Sequence, residues 1–598
     1  MIKVTDYIAK RLKEYGVKDV FMITGGGAMH LNDSLGKTFN CIHNHHEQAT
    51  AIGAEGYARV TGKLAVVNVT SGPGGLNTLT GVSGQWTDSI PVLYLSGQVK
   101  FETTIAACPS IGLRQLGDQE TDIVNVVRPI VKYSVMLVSA EDVRYELEKA
   151  IDIATTGRPG PVWIDVPLNI QGAMVDEHSL KSYLTNDPTP KKPSKNEIDS
   201  IIKRIKEAKR PVVLAGHGIR ISGGVKDFIQ FISSCNIPVV TTFNGMDVIG
   251  EDNPNYVGRF GTLGSRSGNF VVQNSDLLIT IGTRNNIRQV SYNWQSFAKE
   301  AFKIIIDIDS AELKKPTLVP DMAICADARE VILALKNSLT DFSGYHVDWL
   351  KWCNERKEKY PTVLPEYYKQ DNKLHPYVFI NKLSELLKDS DICVAGNGTA
   401  CVAAFQAMKV KQGQRVFWNS GCATMGYDLP ASIGASFANN KGSVICLAGD
   451  GSIQMNLQEL QTIIHHQLPV KIFYLNNNGY VSQRQTQDSF FNGFRVGADP
   501  ASGVSFPDII KLGAAYGFQT FQIKGQNEME DILPAVLSCN QPVICEVLLP
   551  DDYKFSPKLS SKKLDDGRMV SSPLEDLAPF LDREEFKSNL LIKEWIAE

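Results

Sequence analysis

Short apolar segments alternate with segments of helical periodicity along most of the chain. In the first part these segments are DVFMIT, LAVVNVT, IPVLYLSG and GPVWIDVP, and each ends at glycine, threonine or proline. Because they are continuously apolar, they predict parallel strands that are covered on both faces. Two later parts repeat this rhythm, with PVVLAG, LLITIG, VICLAGDG and PVICEVLLP among their strands. The pattern predicts an α/β protein with three open parallel-sheet domains and a C-terminal tail.

Two stretches rich in charge and proline separate these parts. They are VDEHSLKSYLTNDPTPKKPSKNE and WCNERKEKYPTVLPEYYKQDNKL, and both are typical of linkers. We therefore expect domains at 1–175, 196–340 and 370–550, followed by a polar tail at 551–598. We expect the tail to pack over the third domain through its apolar residues, which are Met569, Leu574, Leu577, Phe580 and Leu581.

Composition and charge exclude several classes of protein. The chain has 598 residues, with 61 Lys and Arg against 65 Asp and Glu, which is not the basic excess typical of proteins that bind nucleic acid or anionic membranes. It has no run of about 18 apolar residues, so no membrane span is predicted. Its amphipathic N-terminus lacks the apolar core of a secretory signal. The 11 cysteines form no CxxC pair, which favours reduced thiols and a cytoplasmic location.

The clearest candidate for chemistry lies in the third domain, where VICLAGDGSIQMNLQELQTIIHHQLPVKIFYLNNNGY predicts strand, turn, helix, strand and turn. Asp450 ends the first strand and Asn477 ends the second, so one βαβ crossover brings both to the same carboxyl edge of a sheet. Carboxylate and amide oxygens suit Mg²⁺. Gly449 and Gly451 allow the backbone to approach phosphate, and the amides of Gly451 and Ser452 can donate to anionic oxygen. By itself, GDG also fits a turn whose Asp only caps a helix.

GDG followed one crossover later by NN resembles the signature of thiamine-diphosphate-dependent enzymes. The resemblance implies that Asp450, Asn477 and the carbonyl oxygen of Gly479 hold Mg²⁺, which binds the diphosphate of thiamine diphosphate. Thiamine chemistry also needs a carboxyl group that hydrogen-bonds the aminopyrimidine ring, so that the cofactor's own amino group can remove the C2 proton.

The first domain contains a carboxyl group suited to this task. CIHNHHEQATAIGAEGYARVTG places Glu47 where a strand ends and a helix begins, a position at which Glu can also act as a cap. The run is similar to the acetohydroxyacid synthase and pyruvate oxidase branch of these enzymes, which implies that Glu47 is the activating glutamate. His43, His45 and His46 do not predict a metal cluster, because neighbouring strand residues point to opposite faces.

The resemblance continues in order over residues 1 to 550. It implies that Gly25 of ITGGGAMH lies beside the reacting carbon, that Gln119 of GDQETDIV lies near the thiazolium, and that Met425 of CATMGYDLP is an apolar wedge under the cofactor. The loop TSGPGGLNT contributes further contacts, which are Thr70, Pro73 and Asn77. The first domain is thus expected to bind the pyrimidine and the third the diphosphate. The site is expected to lie between chains of a homodimer or homotetramer.

The central domain contains PVVLAGHGIR, a strand followed by a glycine turn, which by itself fits an ordinary βα turn. In the similar synthases this domain carries FAD in a structural role, so the resemblance implies an FAD site. Arg284 is expected to face the flavin diphosphate. The full candidate set is Gly216, Gly264, Thr283, Arg284, Asp307, Asp309 and Asp327.

The region expected to receive the second substrate departs from a true acetohydroxyacid synthase. The differing positions are Leu168, Asp118, Ser265, Arg266, Ile287 and Thr486, whereas the carboxylate-binding arginine is retained as Arg288. Thr486 stands where the synthases have a tryptophan that selects the acceptor, so the space is expected to be larger. Asp118 and Arg266 are expected to make it more polar.

These departures favour one function and leave two alternatives. The favoured function is a carboligase that decarboxylates pyruvate and attaches the two-carbon unit to a carbonyl acceptor, namely a keto-sugar nucleotide, in the synthesis of branched sugars for surface polysaccharides. The first alternative is an acetolactate synthase that condenses two 2-oxo acids. The second is an inactive thiamine-diphosphate-binding regulatory paralogue, which would not need Glu47, Gln119, Asp450 and Asn477 together.

Overall fold

The computed structural model describes residues 1–184, 189–338, 342, 344–369, 373–563 and 567–595. It contains three six-stranded sheets whose strand pairs are all parallel, which confirms the predicted α/β class. The expected domain limits at 340 and 370, and the expected end of the tail, lie outside the described residues. Among those that are described, no helix is both long and apolar enough to cross a membrane.

The first sheet belongs to the N-terminal domain. In spatial order its strands are Asn40–His43, Asp19–Met22, Ala65–Val69, Val92–Gln98, Val162–Pro167 and Tyr133–Met136. The helices are Val4–Glu14, Met29–Thr38, Glu47–Thr61, Pro73–Leu76, Leu79–Asp88, Ile123–Val127, Val143–Thr155 and Leu168–Gln171. The central strands are buried along their whole length, as their continuously apolar sequences predict. A short antiparallel pair, Ile2–Lys3 with Met174–Val175, closes the domain.

The central domain has a different strand order. Its strands in space are Tyr256–Arg259, Val239–Thr241, Pro211–Ala215, Leu277–Ile281, Phe302–Asp307 and Met322–Cys325. Its helices are Lys195–Glu207, Gly218–Ile221, Val225–Ser233, Arg266–Gln273, Ile287–Val290 and Ala328–Ser338, and Val347–Lys359 follows them. The first helix begins with a capping box between Ser194 and Glu197. The strand order reverses between Pro211–Ala215 and Leu277–Ile281, and such reversals are where open α/β sheets bind ligands.

The third domain repeats the strand order of the first. Its strands in space are Arg415–Phe417, Ile392–Ala395, Val444–Gly449, Val470–Asn476, Val543–Leu548 and Gln519–Ile523. Its helices are Pro376–Leu386, Thr399–Ala407, Asp428–Ala438, Asp450–Ile453, Glu459–His465, Val481–Phe490, Ile509–Tyr516 and Gln526–Ser538. The GDG turn thus opens only a four-residue helical turn, and the longer helix of this crossover starts at Glu459.

The C-terminal tail lies mainly on the central domain, so the expectation that it packs over the third domain is wrong in this respect. Leu574 is fully buried in a central-domain cluster with Phe260 and Trp349. Asn269 Nδ2 donates to the carbonyl of Leu574 at 2.7 Å, and Asn274 contributes further bonds beyond it. The cause is hydrogen bonding. Amide side chains on helix Arg266–Gln273 and at its end pair with backbone groups of the irregular tail that need hydrogen-bond partners.

Of the five apolar residues expected to anchor the tail, Leu574 and Leu577 are buried, whereas Met569 and Phe580 remain about half exposed. Within the described part of the tail, contacts with the third domain come from its first residues. There, Tyr553 and Phe555 join the apolar core of that domain. The tail therefore spans two domains rather than covering one.

Candidate active site

Asp450 and Asn477 meet at the carboxyl edge of the third sheet. Gly449 and Leu475 are register partners on adjacent parallel strands, so the two turns that follow are neighbours. Asp450 Oδ2 accepts hydrogen bonds from the backbone N–H groups of Gly479 at 2.9 Å and Asn477 at 3.2 Å. The geometry therefore brings together the three residues that the sequence pattern nominated as metal ligands.

The donor set at this edge fits a hard divalent cation. The Asn477 amide nitrogen donates to the Gly479 carbonyl and lies 3.4 Å from Asp450 Oδ2, so carboxylate, amide and carbonyl groups converge. Burial raises the pKa of the Asp450 carboxyl to about 6, because a carboxylate removed from water needs compensating positive charge. No cluster of three or more His, Cys, Asp or Glu is found in the described chain, and the convergent set here contains one carboxylate.

Arg484 holds the backbone of the NNNG turn, a role that the sequence pattern did not indicate. Its guanidinium donates to the carbonyl of Asn477 at 2.8 Å and to that of Asn478 at 3.1 Å. Asn478 has a positive φ of 54°, which is uncommon for a residue with a side chain. The buried arginine, 4% exposed, compensates by satisfying the carbonyls that this turn directs inward.

Two further residues that sequence reasoning missed are connected to the amide of Asn477, one directly and one through the other. Thr399 Oγ1 donates to Asn477 Oδ1 at 3.1 Å, and the Tyr553 hydroxyl donates to Thr399 Oγ1 at 2.5 Å. Thr399 begins a helix after Gly398, whose φ is 88°. The signal for it was the strand and glycine turn DICVAGNGT, whereas nothing in the polar tail marked Tyr553.

A hydrogen bond of Ser452 connects the GDG turn to the loop that contains Met425. Ser452 Oγ donates to the buried Asp428 carboxylate at 2.5 Å and accepts from the N–H of Gly426, the residue after Met425, at 2.9 Å. Burial raises the pKa of Asp428 to about 6. The hydroxyl of Ser452 is therefore engaged within the protein, and its backbone amide is the group left as a candidate for anion binding.

The two glycines of GDG have different surroundings. A Cβ placed on Gly451 would lie 1.9 Å from Cε1 of Tyr480, so this glycine is required by a protein side chain. A Cβ on Gly449 would meet only Ser452 Cβ, at 3.9 Å. Gly449 alone leaves open space that a ligand can approach.

Glu47 is the first residue of helix Glu47–Thr61, as the sequence predicts. His46 caps the helix, its ring accepting from the N–H of Gln48. Asn77 Nδ2 donates to Glu47 Oε2 at 2.9 Å, so the two candidates are in contact. The Glu47 side chain is partly exposed in the single chain.

The remaining first-domain candidates lie at the same carboxyl edge. A Cβ on Gly25 would meet Thr70 Cβ at 2.5 Å, so these two turns touch. Gly72, which precedes Pro73, packs against the carbonyl of Gln119. Gln119 is exposed and has a φ of 59°, and such strain in a residue with a side chain is concentrated at functional sites.

The helix that starts at Glu47 also packs against the third domain of the same chain. A Cβ on Gly56 would lie 2.2 Å from the Ala431 carbonyl oxygen, so it crosses helix Asp428–Ala438 closely. Asn456 Nδ2 donates to Gln48 Oε1 at 3.1 Å. The start of this helix therefore lies close to the segment that follows Asp450.

A cavity of about 610 Å³ lies where the three domains meet. It opens at the strand-order reversal of the central sheet, and its lining includes Thr283, Arg284, Asp307 and Asp327, four of the seven residues proposed from the sequence. The lining also includes residues that sequence reasoning missed, among them Asp88, Arg158, His217, Asn285 and Ser420.

The other three candidates have roles outside the lining of this cavity. A Cβ on Gly216 would lie 2.2 Å from the Gly282 carbonyl oxygen, so it permits the two strand ends to approach. Gly264 packs against the carbonyl of Arg259. The Asp309 carboxylate pairs with Arg158 at 3.0 Å, and this ion pair joins the first and central domains.

The four proposed substrate residues are dispersed. Arg288 lines the cavity, with its guanidinium 4.1 Å from the Phe243 ring centroid. Thr486 and Asp118 are exposed. Arg266 differs from the expectation. Its guanidinium donates to the tail carbonyls of Leu577, at 3.0 Å, and Pro579, so it binds the tail instead of adding polarity to an acceptor space.

Comparison with known proteins places the chain in a family. The chain matches the thiamine pyrophosphate enzyme N-terminal TPP binding domain at residues 2–124, the central domain at 198–335 and the C-terminal TPP binding domain at 396–547. It is 32% identical to the acetolactate synthase large subunit of Cyanidium caldarium over 92% of this chain and 94% of that protein. It is 31% identical to a chloroplastic acetolactate synthase 1 of Zea mays over 94% of this chain and 87% of that protein.

The two glycines of GDG provide a test of the site geometry. Gly451→Ala should destabilise the cofactor-free protein by about 1–3 kcal/mol, because the methyl group overlaps the Tyr480 ring. Gly449→Ala, at φ −80° and ψ 153°, should change stability by less than about 0.5 kcal/mol but weaken thiamine diphosphate binding. Urea denaturation and calorimetric titration measure the two effects. Equal stability of the two variants would contradict the assigned roles.

Proposed function

Because the chain belongs to the thiamine pyrophosphate enzyme family and resembles acetolactate synthases over nearly its whole length, we propose that it decarboxylates pyruvate and transfers the two-carbon unit to a carbonyl acceptor, using Mg²⁺ and thiamine diphosphate. The single observation that carries this proposal is the pair of sheet edges: Asp450, Asn477 and Gly479 converge at one, and Glu47 meets Asn77 at the other. Bound thiamine diphosphate supplies a nucleophilic carbon and an electron sink for the loss of CO₂.

In this proposal the third domain holds the anionic end of the cofactor. The Asp450 carboxylate, the Asn477 side-chain amide and the Gly479 carbonyl would hold Mg²⁺, since these residues lie at one buried edge and carboxylate, amide and carbonyl oxygens are hard ligands. The backbone amide of Ser452 would donate to a diphosphate oxygen, whereas the N–H of Gly451 already donates to Asp450 Oδ1 at 2.8 Å. Met425, on the loop held through Gly426 and Ser452, would support the cofactor rings from below.

Glu47 is the proposed activator. Its carboxyl group would hydrogen-bond the ring nitrogen of the aminopyrimidine and orient the base that removes the C2 proton. Asn77 holds one carboxylate oxygen and leaves the other available. Gly25 and Gln119 belong to turns at the same edge, so we assign them to the space around the reacting carbon.

A second copy of the chain is part of the proposal. An activating carboxyl group needs a low-dielectric pocket, yet Glu47 and Gln119 are open to solvent in the single chain. Large apolar side chains near them are also exposed, including Leu76 at 39% and Leu116 at 49%, and exposed apolar patches are typical of interfaces. A homodimer in which a second copy covers Glu47 would enclose this carboxyl group.

Glu47→Gln is expected to lower the rate of C2 proton exchange of bound thiamine diphosphate by at least about 100-fold, since the amide cannot serve as the acid–base partner of the ring nitrogen. Mg²⁺-dependent binding should persist. Glu102→Gln, a neutralised carboxylate at an exposed position of the same domain, is the matched control and should exchange normally. Exchange is measured by deuterium incorporation at C2; normal exchange in the Glu47 variant would remove it from the activating role.

Mixing two inactive variants tests whether each active site is built by one chain or by two. If one chain supplies Glu47 and its partner supplies Asp450, a hybrid of Glu47→Gln and Asp450→Ala contains one site with both residues intact, so activity should reappear. If each chain builds its own site, the refolded mixture stays inactive.

We also propose that the 610 Å³ cavity holds FAD. Its volume suits a large cofactor, it lies at the reversal of strand order in the central sheet, and Arg158, Arg284 and Arg288 line it, which suits a diphosphate. Thr283 and Asp307, which line the cavity, would make polar contacts with the rest of the FAD molecule.

The purified protein should therefore be yellow and release flavin on denaturation. Arg284→Ala should raise the dissociation constant for FAD about 10- to 100-fold through loss of a charge-assisted contact. Arg329→Ala removes an arginine that pairs with Asp227 outside this cavity and should leave flavin binding unchanged. Fluorescence titration of the stripped protein measures both, and a colourless protein that binds no added FAD would refute the proposal.

For the acceptor, we propose a keto-sugar nucleotide. Thr486 lies exposed on helix Val481–Phe490, at the position where the resembling synthases carry a bulky tryptophan, so a larger acceptor has room. Asp118, exposed beside Gln119, keeps this space polar. Arg266 does not contribute to this space, because its guanidinium binds the tail.

Acetolactate synthesis is the second candidate. It is favoured by the similarity to acetolactate synthases along nearly the whole chain and by the retention of Arg288. The two candidates share the decarboxylation half of the reaction and differ only in the carbonyl compound that receives the two-carbon unit.

Product analysis with labelled pyruvate, with and without a 4-keto-sugar nucleotide, separates the candidates. We expect a branched sugar product, and Thr486→Trp should lower kcat/KM for that acceptor by about 10- to 100-fold because the ring fills its space. Thr486→Val keeps the size of the native side chain and is the control. Equal acetolactate yields and no sugar product would favour the synthase.

A further inference from the structure

Tyr553 is a tail residue that reaches the candidate metal edge. It follows strand Val543–Leu548 and lies beyond residues 396–547, the range matched by the C-terminal TPP binding domain. Its ring is 6% exposed and packs edge-on against His375 and Phe555. Burial raises the pKa of its hydroxyl well above the ordinary value, so the group stays protonated and acts as a donor.

The Tyr553 hydroxyl is joined to Asn477 through a single residue. It donates to Thr399 Oγ1 at 2.5 Å, and Thr399 Oγ1 donates to Asn477 Oδ1 at 3.1 Å. A hydroxyl group has one hydrogen to donate and two lone pairs with which to accept. Thr399 therefore uses its hydrogen toward Asn477 and one lone pair toward Tyr553, and it retains one lone pair.

The backbone of Asn477 is fixed, so its side-chain amide is the part whose orientation remains to be set. Arg484 holds the Asn477 carbonyl, and the N–H of Asn477 donates to Asp450. The amide nitrogen now faces Gly479 and Asp450. A metal ligand must present oxygen there instead, so its nitrogen then requires an acceptor on the opposite side, which Thr399 Oγ1 provides when its hydrogen turns away from Asn477.

We propose that Tyr553, acting through Thr399, is a positioning residue that sets the orientation of the Asn477 amide and thereby the affinity of the site for Mg²⁺. The inference rests on the proposed metal site. In it, the tail contributes to cofactor binding without supplying one of the proposed metal ligands. Removing a residue that hydrogen-bonds a metal ligand, directly or through a neighbour, commonly changes metal affinity.

A purely structural role for Tyr553 makes a different prediction. Its backbone carbonyl accepts from Gln485 Nε2 at 3.1 Å, and its ring fills the core, so the residue also anchors the tail. Tyr553→Phe keeps the ring and the backbone contact and removes only the hydroxyl. If anchoring were the whole role, this variant would affect stability and leave Mg²⁺ binding unchanged.

Tyr360→Phe is the matched control. The Tyr360 hydroxyl also ties the tail down, because it donates to Glu585 Oε1 at 2.9 Å and accepts from Asn589 Nδ2 at 2.8 Å. These contacts hold the helix near the end of the tail against the central domain. Both substitutions therefore remove one hydroxyl that holds the tail, but only one of these hydroxyls is connected to Asn477.

The experiment titrates full-length protein with Mg²⁺ at a fixed concentration of thiamine diphosphate, and follows binding by calorimetry rather than by turnover. Tyr553→Phe should raise the half-saturating Mg²⁺ concentration about 10- to 100-fold, and Thr399→Val should do the same. Thr399→Ser, which keeps the hydroxyl, should remain close to the wild type. Tyr360→Phe should shift the midpoint by less than about twofold.

The outcomes distinguish the relay from the metal site on which it rests. If Tyr553→Phe and Tyr360→Phe bind Mg²⁺ alike, or if Tyr553→Phe lowers only the melting temperature of the metal-free protein, the relay is wrong and the hydroxyl serves the tail. Asp450→Ala separates the two levels. If it too leaves Mg²⁺-dependent binding unchanged, the proposed metal site itself fails.

Discussion

A carboxylate held out of water at the end of a strand is the constraint around which the third domain is arranged. Asp450 is 3% exposed, and an uncompensated charge at such a place is costly. Backbone N–H groups of Gly451, Asn477 and Gly479 supply part of the compensation. These bonds also tie the turn after one strand to the turn after the next. The remaining demand for positive charge makes this edge suited to a cation.

Where this edge lies relative to Glu47 depends on how the domains are locked together. Helices Glu47–Thr61 and Asp428–Ala438 cross at contact distance because glycines stand at the crossing: a Cβ on Gly434 would lie 1.8 Å from the Gly53 carbonyl oxygen. Buried charges add directional contacts near the same interface, since Arg59 pairs with both Glu55 and Asp88. Removing one partner of such a pair is costly, because the other charge is left buried alone.

The central domain and the tail are joined by the same physical principle, which is that backbone groups of irregular chain need partners. Side chains of helix Arg266–Gln273 supply them, and Arg266 itself binds two tail carbonyls. Near its start, the tail instead contacts the third domain through Tyr553. One polar segment thus spans two domains, and an arginine that looks like a substrate residue in the sequence is used for its attachment.

By itself, the sequence determined the α/β class, the three sheets and the meeting of Asp450 with Asn477. These follow from local rules: continuously apolar strands form covered parallel sheets, and one crossover returns the chain to the same edge. It also placed Glu47 at a helix start, because a strand-to-helix change is visible in the pattern. Only the tertiary structure decided which distant groups serve that edge. Thr399 reaches Asn477 from a distant helix and Tyr553 reaches it through Thr399, and Gly451 is small because of Tyr480. Such contacts depend on packing between elements far apart in the chain, and a single sequence has no periodicity that reports them.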